Sequence, residues 1–240
     1  MRTTSLLFDD RVLIDMGTGV GDLSLGAMEA IDTVFLTHSH LDHIVALPLM
    51  LDSVGPRRNK PLQVCALKET IETLQAHIFN GSVWPDFTAI PTAETPFLRF
   101  EPIVPGQSIA VDNKNFQAIV VNHTVPAVGY LVGSDQGSFA FTGDTAQNKE
   151  EFWDVINDCH DLKHLVIETS FVDADAEVAL VSRHLNPATF VEEMAKYRNS
   201  ARVWLTHMMP GFEEEITSQI RQHNSALDFS ILKRGDRINI

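Results

Sequence analysis

Residues 33–43 read Thr33-Val34-Phe35-Leu36-Thr37-His38-Ser39-His40-Leu41-Asp42-His43. The first five form a continuous β-rich run, as expected for a strand buried on both faces. It leads straight into four metal-capable side chains within six residues. A packed core has no use for that density of imidazole and carboxylate, because every buried polar group needs a partner. Neutral imidazole and carboxylate are ligands of borderline divalent ions such as Zn²⁺. A metal site at the end of a buried strand is the first expectation.

Four more polar residues stand at or just past the C-terminal end of an apolar run. His123 follows Ala118-Ile119-Val120-Val121, and Asp144 follows Phe139-Ala140-Phe141-Thr142-Gly143. Glu168 ends Leu165-Val166-Ile167, and His207 follows Val203-Trp204-Leu205-Thr206. Loops at strand ends on a rigid sheet are where function concentrates. Taken singly, each of these residues would be a core or surface residue. Taken together, they suggest a shared centre.

The rest of the chain supplies the frame. Strands are expected at 5–8, 12–16, 62–67, 116–121, 127–132, 138–142, 162–168 and 202–206. Helices are expected at 27–31, 47–54, 68–79, 147–157, 187–197 and 213–223. Pro187 suits the first position of its helix, with Asn186 as its cap. Residues 84–96 hold three prolines and read as a loop. Strands come first, then strands and helices alternate. One α/β domain over 1–240 is expected, with sheets inside and helices outside.

Composition narrows the partners. The formal net charge is −14, from 18 Lys+Arg against 32 Asp+Glu, which counts against a broad surface for long nucleic acid. Arg57, Arg58 and Lys60 read as a solvated loop, and His160, His164 and His223 as surface residues. Cys65 and Cys159 have no C-x-x-C spacing and read as reduced thiols of a cytoplasmic protein. The longest apolar stretch, 44–51, is too short to span a membrane. Asp9, Asp10 and Asp15 stand in residues 1–20 and Arg11 breaks their apolar run, so no secretory signal is expected there.

The order His-x-His-x-Asp-His, lone His, Asp, final His resembles the metallo-β-lactamase superfamily. Leu13-Ile14-Asp15-Met16-Gly17 is similar to its first motif. The resemblance implies a four-layer αββα fold, two mixed β-sheets flanked by helices. Most members open with a strand and a Gly/Ser-rich turn ahead of the segment matching 2–8, which leaves room for a missing first edge strand here. The resemblance also implies two divalent ions, Zn²⁺ first, with Mn²⁺ or Fe²⁺ as alternatives. His38, His40 and His123 would hold one ion, and Asp42, His43 and His207 the other. Asp144 would bridge them, and Asp15 would support the ligands.

Asn122-His123-Thr124-Val125-Pro126 resembles the ribonuclease Z and phosphodiesterase branch, as do Glu168 and His184. In that branch the equivalent Glu and His form a proton-handling pair, so Glu168, His184 and Asp42 are the catalytic candidates. Residues 70–80 and 83–87 are similar to class II cyclic-nucleotide phosphodiesterases. They make His77 and Trp84 candidates for the substrate pocket, although a helix-face His and a packed Trp are more often structural. The expected activity is hydrolysis of 3′,5′-cyclic nucleotides to 5′-monophosphates, by a water activated between two dications. The alternatives are a ribonuclease Z-like endonuclease, another ester, sulfate-ester or lactone hydrolase, and a non-enzymatic binding module. A homodimer is expected from the resemblance alone.

Overall fold

Short aliphatic and β-branched runs become strands along the whole chain. The structure is a computed structural model describing residues 2–240. The described residues fall into two compact units, divided between Val104 and Pro105.

In the first unit β1 (Leu6–Phe8), β2 (Val12–Ile14), β3 (Thr33–Phe35), β4 (Leu62–Leu67) and β5 (Leu98–Ile103) form one sheet in that order. β1 and β2 make an antiparallel hairpin, and the remaining neighbours are parallel. Asp9 and Asp10 turn the hairpin at φ +46° and +60°, a region Asp tolerates better than most residues. Parallel neighbours need crossovers. Helices α1 (Leu25–Ala30), α2 (Leu41–Ile44), α3 (Ala46–Val54) and α4 (Lys68–His77) lie within those crossovers. Leu13, Val34, Leu36, Leu47, Leu51, Val64 and Leu74 are buried in its core. Gly17 is required by close approach: a Cβ there would lie 2.3 Å from the Thr4 carbonyl oxygen.

Of the basic trio, Arg58 departs from the solvated-loop expectation, while the side chains of Arg57 and Lys60 stay more than half exposed. The Arg58 side chain is only 3% exposed. It donates to the carbonyls of Glu29 and Ile31 at 2.6 and 2.5 Å, where α1 runs out of its own donors. Arg57 pairs with Glu29 at 2.8 Å and Lys60 with Asp32 at 2.9 Å. Arg11 also binds Asp32. Burial pushes the Asp32 carboxyl up, but the bonds and charges of Lys60 and Arg11 outweigh it and hold the carboxyl below its ordinary value. The stability Asp32 contributes is therefore present above the unfolded carboxylate pKa and is lost as pH falls through the lower folded value. Asp32→Asn should lower the thermal midpoint at pH 7. The gap to wild type should close in scans at progressively lower pH. A gap that does not depend on pH would show the charge to be irrelevant.

In the second unit a seven-stranded sheet runs in the order β12-β11-β10-β9-β8-β7-β6. Its strands are β6 (Ser108–Val111), β7 (Lys114–Val120), β8 (Val128–Ser134), β9 (Gly137–Phe141), β10 (Leu162–Glu168), β11 (Arg202–Thr206) and β12 (Ser230–Ile231). β6 to β9 form an antiparallel meander, and β9 to β12 run parallel. Gly129 lets β8 approach β9, since a Cβ there would sit 2.6 Å from the Phe141 carbonyl oxygen. The helices are α5 (Glu150–Asp158), α6 (Ala176–Ser182), α7 (Pro187–Met194) and α8 (Glu213–His223). Asn186 caps α7 in a reciprocal pair with Thr189, ahead of Pro187. Leu165, Ile167, Val203 and Leu205 of the sheet share a core with Phe152, Trp153, Phe190, Ile216 and Ile220 of the helices. Among the described residues no helix is long and apolar enough to cross a membrane.

Candidate metal centre

In the first unit the hydrogen bonds start from Asp15, which follows β2 in a left-handed conformation at φ +63°. Its carboxylate is fully buried. It accepts the Thr37 N–H at 2.8 Å, the Thr37 hydroxyl at 2.9 Å and the His43 Nδ1–H at 2.7 Å. The Thr37 proton is spent on Asp15. The Thr37 oxygen must then accept from His38 Nδ1, 2.9 Å away. Backbone bonds fix the same corner: Asp15 N–H to Phe35 at 2.9 Å and Met16 N–H to the His43 carbonyl at 2.7 Å.

His38 is buried where the chain leaves β3. The His40 backbone caps α2, and Asp42 lies in the helix's first turn. The His38 ring lies 4.6 Å from that of His40 and 4.3 Å from that of His43, centroid to centroid.

The second unit gathers Glu168, His184 and His207, with one ligand atom of each within 4.8 Å of the others. Glu168 is buried at the end of β10. Its Oε1 accepts the Thr145 N–H at 2.9 Å and His184 Nδ1–H at 2.6 Å. Its Oε2 accepts the Ser170 hydroxyl at 2.8 Å and the Leu185 N–H at 3.3 Å. Ser170 has only that one proton to give, so its oxygen accepts from His207 Nδ1 at 2.9 Å. His207 stands just past β11 at φ +59°. His123, past β7, donates Nδ1–H to the Arg183 carbonyl at 3.1 Å. Arg183 ends α6 in the left-handed region, and its guanidinium returns a bond to the His123 carbonyl at 2.5 Å. Burial pulls the His184 imidazole down, but the bond to Glu168 and the charges of Glu168 and Asp144 prevail and hold it above its ordinary value.

These bonds test the fit of a dication within each unit. His38, His43, His123 and His207 are all held as the Nδ1–H tautomer by their acceptors. That is the neutral form which ligates through Nε2, with a bonded Nδ1–H orienting the ring. Two carboxylates stand beside such nitrogens: Asp42 Oδ2 lies 3.4 Å from His43 Nε2, and Asp144 Oδ2 lies 3.3 Å from His207 Nε2. Bonds of about 2.0–2.1 Å in a tetrahedral site separate neighbouring ligand atoms by about 3.3–3.4 Å. The donor chemistry and both spacings fit.

Of the remaining candidates, His77 ends α4 at the surface and Trp84 lies half buried against the core of its unit. Sequence reasoning missed Thr37, Thr145, Ser170 and Arg183. Hydroxyls and an arginine acting across the fold carry no spacing signature. It also left His223 at the surface, where the residue pairs with Asp173 at 2.6 Å.

A family model described as the beta-lactamase superfamily domain matches residues 10–208, a span holding every candidate ligand. A probable 3′,5′-cyclic-nucleotide phosphodiesterase of Yersinia pestis is 25% identical over 238 residues, covering 87% of this chain and 68% of that protein. The chloroplastic tRNase Z TRZ2 of Arabidopsis thaliana is 26% identical over 240 residues, covering 83% of this chain and 64% of its own. The 3′,5′-cyclic-nucleotide phosphodiesterase 1 of Saccharomyces cerevisiae is 40% identical over 62 residues, which is 25% of this chain and 17% of that one. The chain thus spans about two thirds or less of these relatives.

Among solved structures, unliganded yeast PDE1 gives a TM-score of 0.79 at 20% identity, covering 94% of this chain and 90% of that one. The metallo-beta-lactamase fold protein YhfI from Bacillus subtilis gives 0.76 at 16% identity, covering 98% and 90%. The chain belongs to the beta-lactamase superfamily and has the metallo-β-lactamase fold.

Proposed function

We propose that this chain is a metal-dependent phosphodiesterase that opens 3′,5′-cyclic nucleotides to 5′-monophosphates. The observation that carries the reading is the buried Glu168 bound to His184 at 2.6 Å, in one group with His207. A held proton donor beside a metal ligand serves an alkoxide leaving group, which leaves poorly without protonation. Similarity to the phosphodiesterases of Yersinia pestis and yeast supports the substrate class.

His38, His40 and His123 are assigned to one ion, Asp42, His43 and His207 to the second, and Asp144 to both. Zn²⁺ is the first choice, with Mn²⁺ or Fe²⁺ as alternatives. When bound, two dications supply positive charge for the phosphoryl oxygens and lower the pKa of water. The side chains do the rest. Asp15, Thr37, Ser170 and the Arg183 carbonyl keep their histidines neutral and aimed. Glu168 fixes His184 through Nδ1, so its Nε2–H is the proton offered to the departing 3′-oxygen.

A ribonuclease Z-like activity is the second reading. Similarity to the Arabidopsis tRNase Z favours it, and the net charge of −14 weighs against a surface for RNA. Metal-replete protein should be assayed on 3′,5′-cyclic AMP and GMP, bis(p-nitrophenyl) phosphate, precursor tRNA and an acyl lactone. Release of 5′-monophosphate from a cyclic nucleotide is the expected result. Lactone hydrolysis without phosphodiester cleavage would overturn the proposal.

A further inference from the structure

We infer that Asn148, clamped by buried Glu193 and its half-exposed partner Lys196, is a positioning residue that sets the spacing of His123 and Asp144. The inference rests on the metal-centre reading above and adds residues outside the ligand set.

Asn148 lies in the loop before α5 and is only 4% exposed. Its backbone is held from both sides. The N–H goes to Glu193 Oε2 at 2.8 Å, and the carbonyl accepts from Lys196 Nζ at 2.8 Å. Glu193, in the last turn of α7, is fully buried. It also takes the Trp153 indole N–H at 2.9 Å and pairs with Lys196. A buried carboxylate with three partners is a rigid support.

The Asn148 side chain then joins two loops. Its Oδ1 accepts the Asn122 N–H at 3.1 Å and the Thr145 hydroxyl at 3.1 Å. Its Nδ2 is buried without a hydrogen bond, so the bonding role falls on Oδ1 alone. Asn122 directly precedes His123, and Thr145 directly follows Asp144. Further bonds stitch the same loops: Ala146 N–H to the Asn122 carbonyl at 2.7 Å and Asn122 Nδ2 to the Gln147 carbonyl at 2.9 Å. Thr145 N–H reaches on to Glu168, so the support also touches the carboxylate that holds His184. A chain of bonds thus runs from α7 to residues flanking two candidate ligands, and an error in either loop would move a ligand atom.

The test is Co²⁺ binding by the full-length, metal-stripped protein, followed by visible absorption and by chelator competition. Groups that orient metal ligands typically change affinity by about 10- to 100-fold when removed. Asn148→Ala should weaken Co²⁺ binding by that factor and change the absorption spectrum. The rise in thermal midpoint on adding Co²⁺ should also shrink. A purely structural role would lower the metal-free midpoint and leave the spectrum and affinity unchanged, which would overturn the inference. If Asn148→Ala does not fold, Glu193→Gln keeps the volume and sets an amide N–H₂ against Lys196. It should weaken Co²⁺ binding in the same direction, and wild-type binding would overturn the inference. Wild-type protein that takes up no Co²⁺ would overturn the metal reading itself, which separates the two failures.

Discussion

Replacing His184 with alanine is expected to slow hydrolysis of a 3′,5′-cyclic nucleotide by about 10²- to 10⁴-fold, the usual worth of a general acid. Metal content should stay at the wild-type level, because His184 is not among the assigned ligands. Glu168→Gln should fall in the same direction, since the amide cannot hold an imidazolium as the carboxylate does. The leaving group gives an internal control. p-Nitrophenolate departs with little help from a proton, so the loss on bis(p-nitrophenyl) phosphate should be much smaller than on the cyclic nucleotide. Equal losses on both substrates, or loss of metal from His184→Ala, would remove His184 from the acid's role.

The second large effect is expected at Asp15. Replacement by alanine strands the Thr37 N–H, the Thr37 hydroxyl and the His43 Nδ1–H, all of which end on this buried carboxylate. Buried donors left without an acceptor cost about 1–3 kcal/mol each. Relief of the carboxylate's own desolvation offsets part of this, for a net loss of about 3–5 kcal/mol. Denaturant unfolding of metal-free protein measures it with no contribution from bound ions. Asp15→Asn keeps the shape but offers one acceptor oxygen in place of two, and should fall between alanine and wild type. A loss under about 1 kcal/mol for alanine would mean that the donors find other partners or water.

The legible parts of the fold were those where local pattern and tertiary burial agree. β10, β11 and α8 begin and end where the sequence pattern places them, because each is a clean apolar run or a helical stripe. β5 was hidden. Pro102 falls inside it, after a proline-rich loop, and is tolerated because β5 pairs only with β4 at the sheet edge. β6 and β12 are short edge strands that bury no residue fully, so neither carries a clear apolar run. α6 exposes Val178, Leu180 and Val181 and buries only Ala179, so its stripe reads inside out. α2 begins within the histidine cluster, where the density of metal-capable side chains hid the helical spacing.

At the site, the metal-capable residues were legible because imidazole and carboxylate at strand ends have few other uses. Asp15 entered through its motif. Ser170 and Thr37 could not be read, since a serine or threonine in sequence is compatible with almost any environment. Their importance comes from having a single proton each. That proton is committed to a carboxylate, and the commitment fixes the tautomer of the neighbouring histidine.

Asp15 and His207 hold backbone angles that suit glycine better than any side chain. The left-handed region costs an ordinary residue about 1–2 kcal/mol, and Asp and His, which tolerate it better than most, somewhat less. At these two sites, therefore, backbone comfort and chemistry pull in opposite directions. A library selected only for heat resistance would be drawn toward glycine or asparagine at position 207, and under the proposed ligand assignment its survivors would be sturdier and inert. Selection on activity alone would keep the histidine and its strain, and would have to seek compensating stability elsewhere in the chain.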